Sequence, residues 1–150
     1  MRKNFSRWDG ITRIENLFID YLGADNSQET KETTKQFFIS LVSKIIRPRA
    51  KNDFLLAVIG PQGIGKSFLM RRLNINEAEI NQIAALKANI RPLVITSNNM
   101  DLLLDLKGYR RLHLLEVGRH KPAKNVFDLQ KEAIDQIWAE AYHFYHLVTL

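Results

Sequence analysis

The sequence predicts an α/β fold, a small parallel sheet of about three strands covered by helices and preceded by two N-terminal helices. Three observations lead there. Two segments with helical spacing of apolar residues occupy residues 1–50. A short, wholly apolar run follows and opens directly into a glycine-rich turn and a helix start. Behind it come two further strand candidates and a long closing helix, so that residues 51–150 form the core of a single domain.

In residues 11–22, Ile11, Ile14, Leu17, Phe18, Tyr21 and Leu22 fall on one helical face, Thr12 and Glu15 have capping-box spacing, and Gly23 is a natural stop. The second helix is entered near Asp25 to Ser27, buries Phe37, Phe38, Leu41, Val42, Ile45 and Ile46, and ends at Pro48. The aromatic residues of both helices are expected in the core. Phe54 to Ile59 has the continuous apolar character of a strand covered on both faces. Ser67 to Leu73 begins a helix, and Glu77 to Ala88 reads as a second helix or its continuation. Leu93 to Thr96 and Arg111 to Val117 are the other strand candidates, with Met100 to Leu106 ambiguous between them. Asp128 to His146 closes the chain as a helix with Ile134, Ile137, Trp138, Ala141 and Tyr145 inward.

The turn after the first strand is Gly60-Pro61-Gln62-Gly63-Ile64-Gly65-Lys66-Ser67, which meets the pattern G-x-x-x-x-G-K-[ST] at every fixed position and lies between a strand and a helix start. The spacing has a physical cause. A loop wrapped around phosphate aims successive backbone N–H groups inward, which calls for glycine where a side chain would collide. The helix N-terminus adds its dipole, Lys66 neutralises the outer phosphates, and the Ser67 hydroxyl completes the shell of a Mg²⁺ ion. The expected ligand is a nucleoside triphosphate.

Cutting that ligand also requires an acid on the metal and a polar group on the attacking water. No apolar strand ending in Asp or Glu lies between Ser67 and Leu93, the usual place for the acid. Asp20 and Asp105 follow apolar runs but read more simply as a solvated helix residue and a turn residue. Asn98, at a strand end that can lie beside the loop strand, is a candidate for contact with the γ-phosphate or its water, against the plainer reading of a turn-stabilising Asn. Arg110 and Arg111 are candidates for a charge offered in the same or a neighbouring subunit, against a solvated patch. Trp138 and the histidines at 113, 120, 143 and 146 lack metal-ligand spacing and read as structural or surface residues.

Composition narrows the classes. The 150-residue chain is 45% hydrophobic and has no cysteine, which rules out disulfides and thiolate metal sites and fits a cytoplasmic protein. Its longest apolar stretch, Phe54 to Ile59, cannot cross a bilayer, so no membrane partner is expected. The net charge of +6 favours encounter with polyanions, and nucleic acid is a candidate partner through scattered groups such as Arg47/Arg49/Lys51 and Arg119/Lys121/Lys124.

These pieces resemble a known family. Trp8-Asp9-Gly10-Ile11-Thr12-Arg13-Ile14, Tyr21-Leu22-Gly23-Ala24, the phosphate loop, and Asp135-Gln136-Ile137-Trp138-Ala139-Glu140-Ala141 look like the virulence-associated protein E family of superfamily 3 helicase-like ATPases from phages and chromosomal islands. The resemblance implies ATP-dependent helicase work in replication of a mobile element, usually as a ring. It makes Asn98, within Thr96-Ser97-Asn98-Asn99, the sensing residue, and Asp105 to Arg111 the arginine-finger segment, where Lys107 and Tyr109 stand in place of the expected Thr and Asn. The family's stretch with the acidic Walker B strand and the DNA-contacting hairpin is cut short here. The resemblance also implies a central loop strand, with Leu93 to Thr96 and Leu112 to Val117 as neighbours and a newly exposed edge to be covered by the helix at Glu77 to Ala88 or by another subunit.

Two functions follow. One is an ATP- and Mg²⁺-binding domain with weak or absent hydrolysis. The other is a non-enzymatic regulator that joins or blocks a full-length helicase or binds a host protein; a basic nucleic-acid module without nucleotide is a third reading carried by charge alone.

Overall fold

The computed structural model describes residues 7–49, 54–79, 94–101 and 112–148. In chain order these form α1 (Leu17–Leu22), α2 (Gln28–Ile46), β1 (Leu55–Ile59), α3 (Lys66–Arg72), β2 (Glu77–Glu79), β3 (Val94–Ser97), β4 (Leu112–Glu116), a 3-10 turn (Val126–Asp128) and α4 (Lys131–Val148). The α/β reading holds, with two helices ahead of the sheet.

The sheet has four parallel strands in the order β2-β3-β1-β4. The loop strand β1 is flanked by β3 and β4, as expected. The fourth strand is a correction: Glu77–Glu79 was expected to be helical, but it pairs with β3 from Glu77 opposite Val94 to Glu79 opposite Thr96. Glu-Ala-Glu has no apolar alternation, so its strand conformation comes from the neighbouring backbone and not from local preference. The outer edge of β3 is therefore met by a strand and not by a helix. Residues 80–93 lie outside the described residues, as do Asp105 and the rest of 102–111.

A second correction concerns α1, which begins at Leu17 and not near Ile11. The Arg13 and Ile14 N–H groups both donate to Glu140 Oε1 of α4, at 2.7 and 3.0 Å. Gln136, one turn earlier, accepts from the Asp9 N–H and donates to the Arg7 carbonyl. Two N–H groups that the first turn of a longer helix would leave unpaired are thus satisfied by α4, and the expected capping box does not form. Ile11 is 58% exposed instead of buried, while Ile14, Leu17, Phe18 and Leu22 are in the core.

The second helix starts where the sequence placed it, with the Ser27 hydroxyl accepting from the Thr30 N–H. Its inner face packs on α4. Phe37 meets Phe18 and Phe38 at ring separations of 6.5 and 5.4 Å, and Phe38 meets Trp138 edge-on at 5.7 Å. Full burial of such side chains contributes about 2 kcal/mol each, which explains why this aromatic group is core and not a surface platform. No helix among the described residues is long and apolar enough to cross a membrane.

Candidate functional site

Parallel strands bring their C-terminal ends to one edge of the sheet, where ligands of open α/β folds gather. Ile59 stands opposite Ser97 on one side and Glu116 on the other. The ladder runs one step further, from the Gly60 N–H to the Ser97 carbonyl at 3.0 Å and from the Val117 N–H to the Ile59 carbonyl at 2.9 Å. The segment Gly60 to Ser67 then curls away and enters α3 at Lys66. Gly65 must be glycine twice over: its φ is +104°, and a Cβ there would lie 2.6 Å from the Val126 side chain.

Lys66 is only 8% exposed, because its ammonium points into the curl. It donates to the Gly60 and Pro61 carbonyls at 2.7 and 2.6 Å. A cavity of about 620 Å³ opens beside it, lined among others by Gln62, Lys66, Ser67, Thr96, Asn98 and Phe127. The loop is curled around the Lys66 ammonium. Asn98 reaches back across the cavity mouth, its Nδ2 donating to Gln62 Oε1 at 3.2 Å. The two residues singled out at the strand end and in the loop are thus brought together.

Directly behind Ser67 and Thr96 lies a carboxylate that the sequence reading missed. Both hydroxyls donate to Glu77 Oε2, Ser67 at 3.1 Å and Thr96 at 2.6 Å. Glu77 is half-buried at the start of β2, beyond β3 in the strand order. A hydroxyl whose proton points at a carboxylate turns its lone pairs the other way, toward the cavity. The oxygen donors and negative charge suit a hard divalent cation that also takes ligands from phosphate and water. No group of three or more Asp, Glu or His gathers among the described residues, so a cation here would depend on a ligand's oxygens as well.

The remaining candidates separate cleanly. Asp20 lies 3.9 Å from Lys124, away from the loop. His113 stacks on Phe54 at 4.0 Å, His120 pairs with Asp25, and His143 packs on Trp8. Arg110 and Arg111 lie outside the described residues. The positive charge is partly compensated: Arg119 pairs with Asp25 and Glu116, and Arg13 with Asp9. Arg71, in contrast, faces the cavity.

No curated protein matches the chain in sequence. The family model of the virulence-associated protein E-like domain matches residues 3–91 and 90–149, two segments that meet and together span nearly the whole chain. The size of the chain fits an internally shortened member. The matched residues take in the Gly60–Ser67 loop, the Asn98 strand end and the α4 residues that clasp the N-terminal segment, and on that match the chain belongs to the virulence-associated protein E-like domain family.

Proposed function

We propose that this chain binds ATP with Mg²⁺ in the cavity at the C-terminal edge of the sheet, as the nucleotide-binding part of a helicase-like assembly of a mobile element. The observation that carries the reading is the convergence of the Ser67 and Thr96 hydroxyls on Glu77 Oε2 beside a curled phosphate loop. Lys66 holds two neutral carbonyls, weaker acceptors than phosphate, so an incoming outer phosphate competes well for its protons. Ser67 would offer its lone pairs to the metal, and Glu77 would position that hydroxyl while balancing the ion's charge. When bound, Mg²⁺ draws charge from the outer phosphate oxygens.

Turnover is expected to be slow. Asn98 and Gln62 are neutral and can orient water but not deprotonate it at physiological pH. Arg110 and Arg111 remain candidates for a charge supplied to the γ-phosphate, in the same subunit or from a neighbouring copy. Nucleic acid contact through the basic surface is a proposal of the same rank, carried by the net charge of +6.

Calorimetric titration with Mg-ATP tests the reading. Wild type is expected to bind below millimolar concentration, and Lys66→Ala to weaken binding at least about tenfold. Absence of wild-type binding at millimolar ATP sinks the proposal. Phosphate release at background level, together with capture of a full-length helicase, would move the function to the non-enzymatic regulator.

A further inference from the structure

The cavity that holds the phosphate loop has a second, apolar wall. Phe127 leaves 60% of its surface in solvent, although the turn that carries it is firmly held. Its neighbour Val126 is buried against Gly65. The Asn125 side chain accepts from the Phe127 N–H at 3.0 Å, and Arg72 of α3 donates to the Leu129 carbonyl at 2.7 Å. Phe68, one residue beyond the phosphate-loop serine, supports the ring at a centroid separation of 4.6 Å and a tilt of 53°. An apolar ring this well anchored gains nothing from water, and Val126 ties its position to the loop itself.

We propose that Phe127 is the stacking platform for the base of the bound nucleotide, with Arg71 lining the same cavity, and that this subsite prefers a purine. The inference rests on the phosphate-loop reading above. A volume of about 620 Å³ is more than a phosphate tail occupies and falls in the range of pockets that enclose whole small ligands, roughly 300–1,000 Å³. An aromatic face attracts a base by stacking, which grows with ring area and does not read the base edge. Arg71 presents donors only, and both purines offer an acceptor at N7. Selection therefore runs between purine and pyrimidine, with little distinction between adenine and guanine.

Titrations in Mg²⁺ with ATP, GTP, CTP and inorganic tripolyphosphate on wild type, Phe127→Ala and Phe127→Trp test this. Wild type is expected to hold ATP and GTP about tenfold more tightly than tripolyphosphate, a gain typical of stacking on one aromatic ring, with CTP between them. Phe127→Ala brings ATP down to the tripolyphosphate level and leaves tripolyphosphate affinity unchanged, whereas Phe127→Trp keeps the preference. Equal wild-type affinity for ATP and tripolyphosphate overturns the base subsite and leaves the phosphate loop standing. Parallel loss of both ligands in Phe127→Ala also overturns it, since the turn would then be supporting the loop. Failure of wild type to bind any of the four removes the phosphate-loop reading along with it.

Discussion

Glu140, in the middle of the last helix, accepts a hydrogen bond from the backbone N–H of Ile14 at 3.0 Å across 126 residues of chain. The same oxygen accepts from Arg13, so one fully buried carboxylate satisfies two neighbouring backbone N–H groups just ahead of α1. The clasp fixes α4 against the N-terminal segment. Only Leu129 and Gln130 separate α4 from the turn whose Phe127 lines the cavity, so the clasp bears on the candidate site as well as on the fold.

Glu140→Ala leaves the Arg13 and Ile14 N–H groups without that acceptor and is expected to cost about 2–3 kcal/mol in urea unfolding. Glu140→Gln keeps an acceptor oxygen and should cost far less. It also exposes the sign of the pH dependence. Burial raises the Glu140 carboxyl above its ordinary value of 4.5, so its stabilising contribution is complete below that value and is lost as pH rises through the higher folded-state value. The stability of Glu140→Gln relative to wild type should therefore increase from pH 4 toward pH 7. Asp9 has the opposite sign: Arg13 holds it down to about 2, so its contribution is present above its ordinary 3.8 and disappears as pH falls through about 2.

Glu77→Gln removes the charge behind Ser67 while keeping an oxygen that can accept from both hydroxyls. Metal affinity should fall about 10–100-fold, the usual cost of losing a group that orients a metal ligand. The measurement is ATP affinity in Mg²⁺ against ATP affinity in EDTA. Wild type should gain from the metal, the variant should gain much less, and their affinities in EDTA should agree. An undiminished Mg²⁺ effect in Glu77→Gln would exclude the carboxylate from the metal's surroundings.

Two glycines with similar backbone angles should behave very differently. Gly23 ends α1 at φ +70°, and a Cβ there would stand 2.1 Å from the His120 carbonyl oxygen. That carbonyl belongs to the segment pinned to α1 by the Gly118 N–H on the Leu22 oxygen at 2.7 Å, so neither side can withdraw. Gly10 has φ +85° with no atom within 4 Å of the position. Gly10→Ala should cost about 1–2 kcal/mol, the left-handed penalty alone. Gly23→Ala should cost at least about 3 kcal/mol because steric overlap is added to it. Urea denaturation of the two variants compares them directly; equal losses would mean that the packing of His120 on the helix end is soft.

What the sequence made legible was local. The run from Leu55 through the loop into α3 is a continuous pattern of apolar residues, glycines and a lysine-serine pair, and each feature answers to its immediate neighbours. The placement of Asn98 beside Gln62 followed from one further step, the pairing of β3 with β1. Glu77 was hidden because its strand exists only through pairing with β3, and helix spacing of the residues around it suggested the wrong conformation. Its one available signal was chemical: it is the first carboxylate after the loop, ten residues beyond Ser67. The site wall at Phe127 falls just ahead of the helix expected from Asp128 and carries no motif of its own, although Asn125 two residues earlier has the sign of a side-chain turn. The late start of α1 was illegible for the same reason as β2: the Glu140 side chain that holds the segment ahead of it is at the other end of the chain.

Asn98 gives a prediction that needs no turnover. Its amide donates to Gln62 Oε1 at 3.2 Å on the cavity side of the loop, a partner that a γ-phosphate oxygen would displace as the stronger acceptor. In the proposed binding mode only a triphosphate extends an oxygen as far as the Asn98 amide. Wild type should therefore bind ATP more tightly than ADP. Asn98→Ala should remove about tenfold of that preference, the worth of one hydrogen bond to a charged group, with ADP affinity nearly unchanged. Asn98→Asp should do more harm than Asn98→Ala, since a carboxylate repels the phosphate that the amide attracts. Titration of both nucleotides against the three proteins decides the matter, and an ATP-to-ADP ratio identical in wild type and Asn98→Ala would return Asn98 to the role of a residue that merely steadies the loop through Gln62.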